Sequence, residues 1–377
     1  MNLFTDTDWN RGVNGRVLAE YGSYNTYTVG GQANISGNKS ASKTRLYYQH
    51  SDNDYTYLNK VLTNIPFREK RQDAAYSQFG IMQEGYFRVS PYTRLTAVAW
   101  YQKNHRNLPQ PLGVVNRSQE DQEENNFRGY AGLDFSRGIH ELHVKAAWLY
   151  FCQTYDIRYD GGLFDPKGNK NRSNTAQVVA DYTYSPTDKL ILNTTLTYSH
   201  DLIRVSSYLH IHSSQYTLDG IDFDIPQVES PFSHHRNILS WQTSALWTPI
   251  RWMMINGQYM FEHNDNRNVS TWSAGIVFNL LKKELKLKGS TAYNYRFPSM
   301  NDLYWRPGGN PDVKPEEGYS YDASISYRKS INKHLLFDAE VSGYLMNIDN
   351  WILWLPKDGN QWVWTPQNKR NVRSYGV

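Results

Sequence analysis

The chain has almost no cysteine, no long apolar run and no strong excess of either charge, and each shortage removes a class of protein. Cys152 is the single cysteine among 377 residues, so neither an internal disulfide nor a cysteine-based metal centre can form. Hydrophobic residues make up only 39% of the chain and mean hydropathy is −0.70. Apolar runs are a few residues long, whereas a spanning helix needs about 20, so no segment reads as a transmembrane helix. Net charge is +4 and both signs are spread along the chain, with no basic block or stripe that would point to nucleic acid. The amino terminus MNLFTDTDWNRG lacks the basic start, apolar core and small-residue cleavage site of a secretory signal. Either a secretion signal lies upstream of this sequence, or the chain is not an exported protein.

What is abundant is aromatic: 29 Tyr and 12 Trp bring aromatics to 15%. They sit in a period-two pattern, as a strand with two unlike faces requires. In LILNTTLTYSH, Leu190, Leu192, Leu196 and Tyr198 fall on one face, with Asn193, Thr195, Thr197 and Ser199 on the other. In ELKLKGSTAYNYRF, Leu285, Leu287, Tyr293, Tyr295 and Phe297 share one parity, against Lys286, Lys288, Ser290, Asn294 and Arg296. Trp272, Ala274, Ile276, Phe278 and Leu280 repeat the pattern, as do Tyr321, Ala323, Ile325 and Tyr327.

A soluble sandwich and a membrane barrel both alternate; two further features favour the barrel. Aromatics cluster at strand ends, as in Trp241 and Trp247, Trp252 and Tyr259, or Tyr182 and Tyr184. That is the girdle expected at lipid–water interfaces, and low overall hydropathy fits a barrel because only every second residue meets lipid. Connections also alternate in length. Short ones fall at 36–42, 90–93, 136–140, 185–189, 248–251, 280–284 and 328–334; the other set includes 55–75, 105–125, 156–174, 205–236, 298–317 and 355–361, with two short members around 23–25 and 263–268. Tight turns facing the periplasm and long loops facing outside give that rhythm. The expected fold is all-β: residues 1–377 form one domain, an antiparallel transmembrane β-barrel of about 15–16 strands, the last starting near Trp362. A soluble propeller or solenoid is the alternative, but no repeating blade signature is found.

The segment NYRFPSMNDLYWRPGGNPDVKPEEGYSYDASISY (294–327) resembles a signature of TonB-dependent outer-membrane receptors. Its elements fall in order at Arg296, Phe297, Pro298, Leu303, Tyr304, Gly309, Asn310, Pro311, Lys314, Pro315 and Glu316. WTPQNKRNVRSYGV (364–377) is similar to the strand after the next hairpin, RVLAEYGSYNTYTVGGQANIS to the first barrel hairpin, and RNLPQPLG (106–113) to a loop of the cobalamin- and siderophore-receptor branch. The resemblance implies a 22-stranded barrel around an amino-terminal plug. The plug carries a motif pulled by TonB, and the cargo is a scarce extracellular ligand such as cobalamin or a ferric siderophore. By that analogy the chain lacks the plug and about six strands. An open sheet in lipid would leave backbone groups unpaired on two edges, so the chain alone is not expected to form a stable pore. A heat-modifiable, protease-resistant barrel from this chain alone would refute that.

The implied function is binding and gated import by a monomer in the Gram-negative outer membrane, with lipid around it and no cofactor. A passive porin or an adhesive barrel is the alternative, separated by whether the full gene encodes a plug. No enzyme is expected: there is no GxSxG, and His200 and Asp201, adjacent on a strand, point to opposite faces. Candidate ligand contacts are loop aromatics, Tyr55, Tyr57, Phe67, Phe164, Tyr208, Tyr216, Phe223, Tyr304 and Trp305, since loops on a stiff scaffold carry binding residues. The same rings could instead pack loop on loop. Asp52 and Asp54, and Asp219, Asp222 and Asp224, have the oxygen chemistry of a calcium site, or are solvated loop carboxylates. His210, His212, His234 and His235 could offer imidazoles to a metal or haem, but no third ligand is evident.

Overall fold

The computed structural model describes residues 9, 11–61, 65–110, 118–159, 165–210, 217–218, 221–222, 232–265, 267–304, 308–333, 335–357 and 360–377. The opening strands are β1 (Gly12–Gly22), β2 (Thr26–Ser36) and β3 (Ser40–Ser51). A small hairpin of β4 (Thr56–Asn59) and β5 (Phe67–Lys70) follows. Then come β6 (Tyr76–Ser90), β7 (Thr93–Leu108), β8 (Ser118–Arg137), β9 (His140–Tyr159), β10 (Asp165–Thr187) and β11 (Leu190–His210). A two-residue pairing of β12 (Thr217–Leu218) with β13 (Ile221–Asp222) precedes β14 (Phe232–Ile250). The series ends with β15 (Met253–Asn264), β16 (Arg267–Leu280), β17 (Leu285–Arg296), β18 (Glu316–Ser330), β19 (Leu336–Lys357) and β20 (Asn360–Gly376). One five-residue helix, α1 (Met300–Tyr304), interrupts them. Among the described residues, no helix is long and apolar enough to cross a membrane.

Sixteen strands form one sheet whose order follows the chain, with the β4–β5 and β12–β13 pairs outside it. The seven short turns fall where the sequence places them, and the sixteenth strand begins two residues before Trp362. The β1–β2 turn puts Tyr24 and Asn25 at φ 59° and 52°. They are the two central residues of a tight turn closed by the Thr26 N–H on the Ser23 carbonyl at 3.2 Å, within a three-residue connection between the paired Gly22 and Thr26. The β4–β5 hairpin and α1 were not expected from the sequence pattern.

Chain contacts divide the protein into two compact units, one built mainly from residues before 136 with 143–178 and 199–237, the other mainly from 179–198 and 238–377. In the second, β16 and β17 pair Trp272 with Tyr293, Ile276 with Gly289 and Phe278 with Leu287, so one face of the pair is apolar apart from Thr291. In the first, β3 and β6 pair Leu46 with Ile81 and Tyr48 with Phe79 on such a face. These side chains are not packed into a core: Leu46 is 48% exposed, Ile81 40% and Trp272 41%, and Trp241 and Trp247 on β14 are similarly exposed. Instead, the side chains under 2% exposed include Glu84 and Asn59. A fold that exposes its aromatics and encloses its carboxylates is inverted relative to a soluble sandwich, and matches strands that meet lipid on one face.

Candidate functional site

The polar face of the first unit is a hydrogen-bonded wall. Glu84 on β6, 0% exposed, takes the Arg45 guanidinium at 3.1 Å, and Arg45 also donates to Gln32 on β2. Arg94 donates twice to Asp134, whose other oxygen meets His143 at 2.7 Å. Glu124 accepts from Asn104, Arg106 and Gln122. Each carboxylate has at least one partner on a neighbouring strand, which ties the strands of the wall together, although Glu84 Oε2 is buried without a partner among the described residues.

Above it, the β4–β5 hairpin gathers several of the expected contact residues. Tyr55 is exposed and meets Tyr24 and Tyr57 edge-on, with ring centroids at 6.2 and 6.3 Å. The Tyr57 hydroxyl donates to Glu69 at 3.0 Å, and Asn59 donates to the same oxygen at 2.8 Å. These tyrosines therefore brace one loop, with the Tyr55 ring presented to solvent. Phe67, also exposed, lies on the same hairpin. Asp52 is 3.0 Å from His50, and Asp54 takes the Lys70 ammonium at 2.7 Å. The two aspartates thus have separate cationic or imidazole partners. Among the described residues no group of three or more His, Cys, Asp or Glu gathers as a metal site. Phe164, Tyr216, Phe223, Trp305, Asp219, Asp224 and His212 lie outside the described residues, as do the side chains of Tyr208, His210 and Asp222.

The Lys70 ammonium bonded to Asp54 holds that carboxyl below its ordinary value, and Asp54 in turn raises Lys70. The depressed carboxyl contributes above the ordinary aspartate range and loses its contribution as pH falls through its lowered value. The raised ammonium contributes below the ordinary lysine range and loses it as pH rises through its raised value. Amide exchange in β4 and β5 is therefore expected to be uniform between those limits once intrinsic rates are removed. It should accelerate on the acid side of the carboxylate range, and Lys70→Ala should abolish that acid transition.

The signature residues of the second unit form a different constellation. Ser299 and Asp302 cap α1 reciprocally: Asp302 N–H donates to Ser299 Oγ at 3.0 Å, and Ser299 N–H donates to the Asp302 carboxylate at 2.8 Å. Such a box satisfies otherwise orphaned N–H groups at a helix start. Trp354 Nε1–H on β19 donates to the second Asp302 oxygen at 2.9 Å. Arg296 makes a two-pronged pair with Glu316, at 2.6 and 2.8 Å, across the mouth of the loop. Glu316 also accepts the Ile352 backbone N–H at 2.8 Å. Asn310 donates to the Pro366 carbonyl at 3.0 Å, while Lys314 exchanges backbone bonds with the Asn368 side chain at 2.6 and 2.8 Å. Pro298, Val313 and Pro315 are buried beneath; Gly309 and Leu303 are half-buried, and Pro311 is exposed. Tyr304, half-buried, ends α1.

The motif is therefore a clasp. It fastens the loop between β17 and β18 onto the β19–β20 hairpin. The partners Trp354, Pro366 and Asn368 were missed as functional residues by the sequence reading. One signal was available: Asn368 lies within a strand although asparagine is a poor strand former. Its Nδ2 also reaches the carbonyl of Asn350, which sits at φ 57° where the β19–β20 register slips. That slip is a β-bulge, and the asparagine ties it down.

On β15–β19 an open hollow of about 360 Å³ is lined by Asn256, Ser290, Asp322 and Tyr344 among others. Lys288 and Glu340 pair across it at 3.4 Å.

The family described as TonB dependent receptor-like, beta-barrel matches residues 2–377. A vitamin B12 transporter, BtuB, of Photobacterium profundum is 32% identical over 126 residues, covering 33% of this chain and 20% of that protein. The BtuB of Vibrio vulnificus is 31% identical over 109 residues, 29% of this chain and 16% of that one. The FrpB iron transporter from Neisseria meningitidis superposes with a TM-score of 0.70 at 12% identity, over 98% of this chain and 60% of its own. The matched stretches span a fifth or less of the curated relatives' length.

Proposed function

Since the chain belongs to the TonB-dependent receptor-like β-barrel family, we propose that the full-length protein imports a scarce ligand across the Gram-negative outer membrane in a TonB-energised step, with cobalamin as the cargo. The observation that carries the cargo is the 32% identity to a vitamin B12 transporter. In this reading the polar face lines the lumen and the apolar face meets lipid. The hydrogen-bonded wall holds its shape while the outer loops grip the ligand. TonB acts on a plug rather than on this chain's strands. The protein works as a monomer, without catalysis. A calcium ion at Asp52 and Asp54 would have to displace Lys70 from its 2.7 Å contact, so it is not part of the mechanism proposed.

The test is uptake. Deleting the gene in a strain with no other importer should cut uptake of labelled cyanocobalamin by about tenfold or more, and loss of TonB should do the same. Uptake that survives loss of TonB would mean a passive pore; unchanged uptake in the deletion strain would exclude cobalamin. The loop contribution is separable. Tyr55→Ala with Tyr57→Ala is expected to weaken ligand binding by about tenfold, corresponding to about 1.4 kcal/mol. The barrel should remain heat-modifiable, because neither ring lies in the sixteen-stranded sheet.

A further inference from the structure

His200 lies on β11 and His235 on β14, neighbours in the sheet and both in the first unit. Asp201 takes the Arg236 guanidinium at 3.1 Å and the Thr175 hydroxyl at 2.7 Å on the polar face. Successive residues of a strand point to opposite faces, so His200 and His235 leave by the apolar face. There they meet: the two imidazoles stack with ring centroids 6.2 Å apart and planes 27° from parallel. The pair thus sits on the apolar side of the wall.

The chemistry of the two rings differs. His200 Nδ1 is 2.8 Å from Asn237 Oδ1. A carbonyl oxygen can only accept, so the neutral ring that makes this bond carries its proton on Nδ1 and offers the Nε2 lone pair. Orienting one ring nitrogen so that the other is free to ligate is how metal-binding histidines are held. His235 is exposed, and among the described residues its ring has no hydrogen-bond partner. Arg236 and Asp201, the charges adjacent to the two histidines along their strands, pair with one another on the opposite face.

We infer that His200 and His235 form a two-imidazole site for a divalent transition-metal ion on the outward face of the wall. Imidazole nitrogen excludes magnesium and calcium and favours copper over zinc or nickel. Metal–nitrogen bonds of about 2.0–2.1 Å would bring the ring centroids to roughly 5 Å. Closing the remaining gap takes small side-chain rotations at a surface position. Two protein ligands leave the other positions to water, so the ion is exchangeable. The site lies away from the polar face and is independent of what the lumen carries.

The test uses the full-length protein in detergent micelles titrated with Cu(II) alone and followed by electron paramagnetic resonance. The first equivalent is expected to show coupling to two imidazole nitrogens. His200→Gln and His235→Gln should each reduce that coupling to one nitrogen and weaken binding by about tenfold or more. His263→Gln serves as control: His263 faces Asn268 at 2.7 Å and should leave the signal unchanged. Retained heat-modifiability shows that each variant is folded, and Zn(II) should displace the copper in the wild type. A wild-type spectrum and affinity in either His200→Gln or His235→Gln would overturn the assignment. So would loss of the two-nitrogen signal in His263→Gln.

Discussion

Glu316→Ala is expected to open the clasp between the β17–β18 loop and the β19–β20 hairpin. The Glu316 side chain is 13% exposed and holds three donors: two from Arg296 and the Ile352 N–H. Removing it strands a backbone N–H at a residue that is itself buried, at a cost of about 1–3 kcal/mol. It also leaves the Arg296 guanidinium without its counter-ion. That side chain is 54% exposed and resolvates in part, so its loss adds about 1 kcal/mol, well below the figure for a buried pair. The total, about 2–4 kcal/mol, is large for one surface loop. Limited proteolysis should then cleave within 298–315, where the wild type resists. Glu316→Gln keeps an acceptor for Ile352 and should lose less. Adding Arg296→Ala to Glu316→Ala should cost under about 1 kcal/mol more, because the two act on one interaction. Equal proteolytic resistance in wild type and Glu316→Ala would show that the clasp does not hold the loop.

Gly318→Ala is expected to be the more damaging change. A Cβ built on Gly318 overlaps the backbone carbonyl oxygen of Asn347 on β19, and lies 3.0 Å from both Asn347 C and Ile348 Cα. Backbone cannot swing aside as a side chain can, so the strands must separate where Gly318 pairs with Ile348 and Tyr319 with Asn347. Overpacking of this kind costs about 3 kcal/mol or more. It strikes two residues from Glu316, where the clasp is anchored. The folded, heat-modifiable fraction in outer membranes should fall several-fold. Two glycines calibrate the result. At Gly80 the obstruction is the Tyr47 ring, a rotatable side chain, so Gly80→Ala should cost about 1 kcal/mol. At Gly289 the nearest atoms are 4.0 Å away and alanine should be tolerated. A ranking in which Gly289→Ala is as harmful as Gly318→Ala would place the cost in backbone freedom instead.

The two variants concern residues that the sequence reading treated differently. Glu316 was named as part of a family signature, but its work, holding Ile352 N–H thirty-six residues away, belongs to no motif. Gly318 was not singled out. A glycine two residues into a strand can mark a bulge, a bend or a close approach, and only the position of β19 decides which. The loop aromatics divide in the same way. Tyr55 and Tyr57 were legible as loop residues, but that Tyr57 spends its hydroxyl on Glu69 follows from the unexpected β4–β5 hairpin.

The sequence by itself determined the strands, their two faces and their turns. Those are local properties: a period of two, a Gly or Asn at a left-handed turn and an aromatic at a strand end are each read within a dozen residues. It also determined the family through a contiguous motif. The tertiary structure alone decided which side chains meet across strands. Asp302 with Trp354, Lys314 with Asn368, and His200 with His235 are set by register between segments 35 to 54 residues apart. Register is a property of two strands together, and a slip of one residue would exchange every lipid-facing side chain for a polar one. The burial of Glu84 has the same origin. In isolation it is one more polar residue in an alternating strand; Arg45 reaches it from β3, and the assembled wall closes over it.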